Sequence, residues 1–128
     1  MSRNYKSGSR IEYIIRDFYR AADCEVIRSA GSQGAADLVV FKPDGGVMLI
    51  QCKKTAEGGT AQFKDDVRRL MSFRVGGKHM THITRWLYVL RTRAGVVDTF
   101  LVSDDGAACT MRLDWGSILK VVKGYRDG

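Results

Sequence analysis

Proline is nearly absent from this chain: there is one in 128 residues, beside 45% hydrophobic and 27% charged residues. That balance excludes a proline-rich disordered protein, and no repeat or low-complexity segment marks an array. Long apolar runs are missing too. None approaches the roughly 18 residues a membrane-spanning helix requires. The first six residues, Met1-Ser2-Arg3-Asn4-Tyr5-Lys6, lack the apolar centre of a signal peptide. The expected setting is the cytoplasm, of a cell or of a virus's host, without a membrane. Cysteines are few and odd in number, Cys24, Cys52 and Cys109, with no C-x-x-C pair. They read as reduced thiols and not as a disulfide frame. His79 and His82 have no second pair to complete a zinc set, so they read as loop histidines. Acidic residues are in deficit, 14 against 21 Lys plus Arg, which gives a net charge of +7. A surplus of that size attracts polyanions, nucleic acid first among them.

The length fits one domain, residues 1–128, and such a domain buries enough surface to need no covalent staples. Residues 1–8 are polar and expected to be loose. Ile11, Ile14, Ile15 and Phe18 then recur at helical spacing, with Ser9 and Glu12 set as a capping box. Three strands are expected over residues 25–30, 37–41 and 47–53, the last two joined by the Pro43-Asp44-Gly45-Gly46 turn. A second helix carries Phe63, Val67, Leu70 and Met71, opening near Thr60 and ending at Gly76-Gly77. Strands over residues 85–93 and 96–102, a turn at Asp104-Asp105-Gly106 and a terminal helix with Ile118, Leu119, Val122 and Tyr125 complete the chain. This predicts one α/β domain with a mixed five-stranded sheet flanked by helices.

Chemistry concentrates between Asp37 and Lys53. A strand sends alternate side chains to opposite faces, so Gln51 and Lys53 share a face while Cys52 takes the other. Asp37 opens the neighbouring strand. An acid, an amide oxygen and a lysine can thus meet at one edge of the sheet. Phosphodiester hydrolysis uses such parts: oxygen ligands hold a hard divalent cation, and a lysine steadies developing negative charge.

Asp37, followed after about a dozen residues by Gln51-Cys52-Lys53, resembles the PD-(D/E)XK nuclease superfamily. With Glu12 on the first helix and Arg28-Ser29-Ala30-Gly31-Ser32 after the first strand, the first 75 or so residues resemble the archaeal-type Holliday junction resolvases. The resemblance implies a restriction-endonuclease-like core and a Mg²⁺-dependent homodimer, Mn²⁺ substituting, that cuts branched, four-way DNA. It implies a metal site of Glu12, Asp37 and Gln51, a catalytic Lys53, and a Ser32 hydroxyl near the scissile phosphate. Arg28, Ser32 and Lys54 would contact DNA. Ala36 stands where a proline often precedes the aspartate, and Gln51 stands where the acid of the triplet usually lies. The string Ile50-Gln51-Cys52-Lys53 also resembles the Mrr-type restriction nucleases, where glutamine holds this place.

Each residue has a plainer reading. Glu12 could serve only as a cap or pair with Arg16, and Asp37 could be a turn residue. Lys53 and Lys54 could be a solvated strand end, and Ser32 and Arg28 ordinary surface residues. Asp65, Asp66, Arg68 and Arg69 read as the wet face of the second helix, and Trp86 and Trp115 as core. The Gly31-Ser32-Gln33-Gly34 string matches a KH-type clamp, but strands flank it where that clamp joins helices. The resolvase reading places a dimer surface at Trp115 and the Ile118–Val122 stripe. The alternatives are another nuclease of the superfamily and a DNA-binding module without catalysis.

Overall fold

The computed structural model describes residues 7–29, 34–56 and 63–127. The elements are α1 (Ser7–Arg20), β1 (Glu25–Arg28), β2 (Leu38–Phe41), β3 (Val47–Thr55), α2 (Lys64–Ser72), β4 (Ile83–Arg91), β5 (Val96–Ser103), β6 (Gly106–Asp114) and α3 (Trp115–Asp127). Six strands form one sheet in sequence order, β1 to β6. All neighbours are antiparallel except β3 and β4, which run parallel because α2 carries the chain back between them. The α/β class and the mixed sheet are as expected.

The sixth strand is a correction. β6 was not legible because it is an edge strand exposed along almost its whole length, so it carries little alternation of apolar and polar residues. A register shift between Thr99 and Phe100 further breaks the period-two pattern against it. The turn that feeds it was legible: Gly106 takes φ +112°, a left-handed conformation that favours glycine.

The two faces of the sheet bury separate clusters. Ile11, Ile14 and Ile15 of α1 and Ile118 and Val122 of α3 cover Leu38, Val40, Met48, Ile50, Cys52, Tyr88 and Leu90. Phe63 and Leu70, from and beside α2, cover Leu49, Leu87, Val89, Phe100 and Val102. β4 is therefore buried on both faces, as its sequence implied. Trp86 and Trp115 pack against the first cluster. On that face the hydroxyls of Tyr19 and Tyr88 hydrogen-bond to each other, so a polar contact is satisfied within the apolar layer.

Local corrections follow from the same packing. α1 already runs at Ser7, so Ser7 and Gly8 are helical and Ser9 is not its cap. Thr60 and Ala30 lie outside the described residues. α2 stops at Ser72, before Gly76 and Gly77, which instead make the tight turn between Val75 and Lys78. The buried guanidinium of Arg85 fixes that helix end, its Nε donating to Leu70 O (2.9 Å) and a terminal nitrogen donating to Phe73 O (2.6 Å). A cation there meets the negative end of the helix dipole. The Ile118–Val122 stripe, placed above on a dimer surface, is spent inside the protomer: Ile118 and Val122 are 2% and 4% exposed. Val121 and Tyr125 are the exposed apolar residues of α3.

Ile15 is fully buried between α1 and the sheet. Ile15→Ala should lower unfolding free energy by about 2–5 kcal/mol, the range for deleting a large buried aliphatic side chain. Urea denaturation followed by circular dichroism measures it, and a loss below about 1 kcal/mol would show that the α1 layer is loosely packed.

Candidate active site

The site exists because β3 outruns β2. β2 pairs with β3 only from Leu38 opposite Ile50 to Phe41 opposite Val47, while β4 accompanies β3 along all nine of its residues. Beyond Ile50 the β2 side of β3 has no strand partner, and its polar groups must be satisfied otherwise. The Asp37 carboxylate does this at Cys52, and the Gln51 side chain ties β3 to the segment ahead of β2. The Cys52 N–H donates to Asp37 Oδ2 at 2.9 Å, and Gln51 Nε2 donates to Ala35 O at 3.0 Å. The backbone of Asp37 is tied as well, its N–H donating to Ile50 O and its carbonyl accepting from Ser29 N, both at 2.8 Å. The aspartate is held by three bonds to two neighbouring segments, so its carboxylate has a fixed place at the end of the sheet.

Side chains from both layers converge on that end. Lys53 leans to the α2 side, where its Nζ lies 3.2 Å from Asp66 Oδ1. Glu12 arrives from α1 on the opposite side and accepts from Arg28 Nε at 3.0 Å. The Arg28 guanidinium also stands 4.6 Å from the centre of the Tyr13 ring, with Arg16 over the same ring at 4.9 Å. Glu12, Asp37 and Lys53, joined in the sequence only by pattern, thus share one electrostatic neighbourhood. Gln51 belongs to it and is almost wholly buried. Lys54 is exposed at the adjoining strand position, on the other face from Lys53. Ser32 lies outside the described residues.

Asp66 is a correction: the pattern of charges on α2 places it on the wet face, yet its side chain is 8% exposed. The signal was present: Phe63, Asp66 and Leu70 fall at i, i+3 and i+7, on the inner stripe. Asp65, one residue earlier, does face water and pairs with Arg68 at 2.7 Å.

The electrostatics are those of crowded carboxylates. Burial pushes the Asp37 carboxyl above its ordinary range; the Cys52 N–H bond and Lys53 oppose this, and Asp66 adds to it. Burial likewise raises Glu12, and the Asp37 charge raises it further, against Arg28 and Lys53. Two acids whose ionisation is disfavoured by burial and by a neighbouring carboxylate are what a hard cation stabilises. Among the described residues no three His, Cys, Asp or Glu side chains form a metal cage. The donor set nevertheless fits an ion of the Mg²⁺ type, which takes one or two carboxylates and keeps several waters. Glu12 and Asp37 supply the charge. Gln51, its nitrogen committed to Ala35, has only Oε1 left to offer.

Comparisons with known proteins bear on the family and the fold. The family described as archaeal Holliday junction resolvase (Hjc) matches residues 3–86. The crossover junction endodeoxyribonuclease Hjc of Methanocaldococcus jannaschii is 34% identical over 80 residues, 61% of this chain and 59% of that protein. This chain therefore spans less than two thirds of that relative's length. In fold it is similar to Archaeoglobus fulgidus Hjc, a Holliday junction resolvase, with a TM-score of 0.50 and 21% identity over 91% of this chain and 89% of that one.

The raised Asp37 carboxyl makes a prediction about stability. An acid whose folded-state pKa is raised costs stability once pH passes above the ordinary carboxylate range, because the fold then holds a charge it disfavours. In chelator, Asp37→Asn should raise the melting temperature at pH 7, since the amide oxygen can still accept from Cys52 N–H. The gain should vanish below about pH 3, where both states of the parent carry the proton. Thermal melts across pH decide it; a lower melting temperature at pH 7 would mean that Lys53 and Arg28 outweigh burial.

Proposed function

The chain belongs to the archaeal Holliday junction resolvase family, and from that membership we propose that it is an endonuclease hydrolysing phosphodiester bonds in four-way DNA junctions. The observation that carries the reading is the meeting of Glu12, Asp37 and Lys53 at the unpaired end of β3. Glu12, Asp37 and Gln51 Oε1 would hold Mg²⁺, or Mn²⁺ in its place. When bound, such an ion supplies positive charge to phosphate oxygens and acidifies a water. Lys53, with its side chain 37% exposed, presents its ammonium to the substrate side and stabilises negative charge developing on the phosphorus oxygens. Arg28 orients Glu12 through their ion pair and, with Arg16 and Tyr13, offers a cationic wall beside the acids for the DNA backbone. Lys54 and the Ser32 hydroxyl belong to the same contact region in this reading.

A four-way junction must be cut at two related points, and a twofold dimer presents two equivalent sites. The protein is accordingly proposed to act as a homodimer, on a surface other than the buried α3 stripe. The overall charge of +7 supplies the long-range attraction to the phosphate backbone.

The experiment compares Mg²⁺-dependent nicking of a four-way junction with that of a linear duplex of the same sequence. Paired cuts in the junction alone support the reading. Cutting of both substrates would make it a nuclease of broader choice, and binding without cutting would make it a binding module. Within the assay, Lys53→Ala should slow single-turnover cleavage by at least about 10²-fold, the scale of one lost transition-state donor, with junction affinity nearly unchanged. Equal loss in binding and rate would reduce Lys53 to a phosphate contact.

Gln51 yields a separate prediction. Gln51→Glu should lower the Mg²⁺ concentration needed for half-maximal rate, because affinity at hard-cation sites follows ligand charge. The same variant should lose about 1–3 kcal/mol of stability without metal, since glutamate cannot donate to Ala35 O and leaves it unpaired. Mg²⁺ titration and denaturation in chelator read the two effects. A variant unchanged in both would make Gln51 a bystander.

A further inference from the structure

Asp66 has no part in the acid–glutamine–lysine set, yet it is the described carboxylate in contact with Lys53. Its Oδ1 lies 3.2 Å from Lys53 Nζ, and 4.0 Å from a terminal nitrogen of Arg69 one turn along α2. The side chain is 8% exposed and sits on the inner stripe between Phe63 and Leu70, two members of the apolar cluster. An apolar residue would pack well there. A buried carboxylate disfavours the fold unless a cation meets it, so its presence needs a reason beyond packing.

Lys53 supplies that reason. A lysine is a point charge on a four-carbon stem with wide rotamer freedom, and it acts on a transition state only if held where charge appears. Lys53 leaves β3 where no strand flanks it on the β2 side, so the sheet alone does not fix its head. Asp66 reaches it from the helix layer. The α2 backbone behind Asp66 is itself anchored, because Arg85 holds the Leu70 and Phe73 carbonyls.

We propose that Asp66 is the positioning residue for Lys53, an ionic tether from α2 that holds the ammonium at the end of β3 facing Asp37. This rests on the endonuclease reading above. Asp66 touches neither substrate nor metal in this role; it acts through Lys53. The tether leaves the ammonium's remaining N–H donors for a phosphate, since Asp66 occupies one direction only.

The test is a double-mutant cycle with a chemical readout of the lysine. Asp66→Asn should reduce single-turnover junction cleavage by about ten- to a hundredfold, the usual effect of losing a residue that orients a working group, while junction Kd stays within about twofold. In a Lys53→Ala background the same substitution should have no further effect, because a residue acting only through Lys53 has nothing left to act on. Independently of DNA, limiting acetic anhydride followed by peptide mass spectrometry should label Lys53 several-fold more in Asp66→Asn than in the parent. Lys54 serves as the internal reference, and Asp65→Asn should match the parent.

Parental cleavage by Asp66→Asn, or an equal loss with and without Lys53, overturns the tether. A parent that cuts no DNA defeats the endonuclease reading and the positioning role with it; the labelling then shows only whether the ion pair forms. Unchanged labelling of Lys53 removes the ion pair whatever the parent cuts.

Discussion

Everything in the candidate site hangs on a mismatch of strand lengths. β3 has nine residues and β2 four, so half of β3 is paired on one side only. A bare strand edge cannot stay unsatisfied inside a protein. The Asp37 carboxylate stands in for the missing strand by taking the Cys52 N–H, and the Gln51 amide ties β3 to the segment ahead of β2 by giving to Ala35 O. The groups that complete the sheet are therefore the groups that line the site. Strand pairing and carboxylate placement are one arrangement.

This double duty explains how much of the site the sequence disclosed. Asp37, Gln51 and Lys53 were legible because alternation along a strand decides which side chains share a face, whatever the rest of the chain does. Glu12 was not legible by that route. It lies on another element, and only likeness to the archaeal resolvases joined it to the others before its pair with Arg28 was seen. Asp66 was missed because a charged residue on a short helix is by default taken as solvated. The inner stripe of α2 was visible in the sequence, but the lysine that makes a charge tolerable on it lies thirteen residues earlier, on β3. The stripe on α3 shows the reverse limit. Periodicity states that a face is buried; it does not state against what, and here the answer is α1 and the sheet within the same protomer.

The exchange of acid for glutamine at position 51 takes a physical sense from the same bonds. A carboxylate there would stand against the Ala35 carbonyl, oxygen to oxygen. The amide removes that repulsion and lowers the negative charge of a region that already holds Glu12, Asp37 and Asp66. In the proposed metal site, the attraction for a cation given up at position 51 would be offset by a better-satisfied fold.

Arg85 has a consequence for motion. Its guanidinium grips the last turn of α2, while Asp66 near the first turn grips Lys53. The nine-residue helix is thus held near both ends to neighbouring strands, which opposes rolling about its axis. Under the proposed action on branched DNA, adjustment to that substrate falls to parts of the chain other than α2, and the lysine keeps a fixed mount.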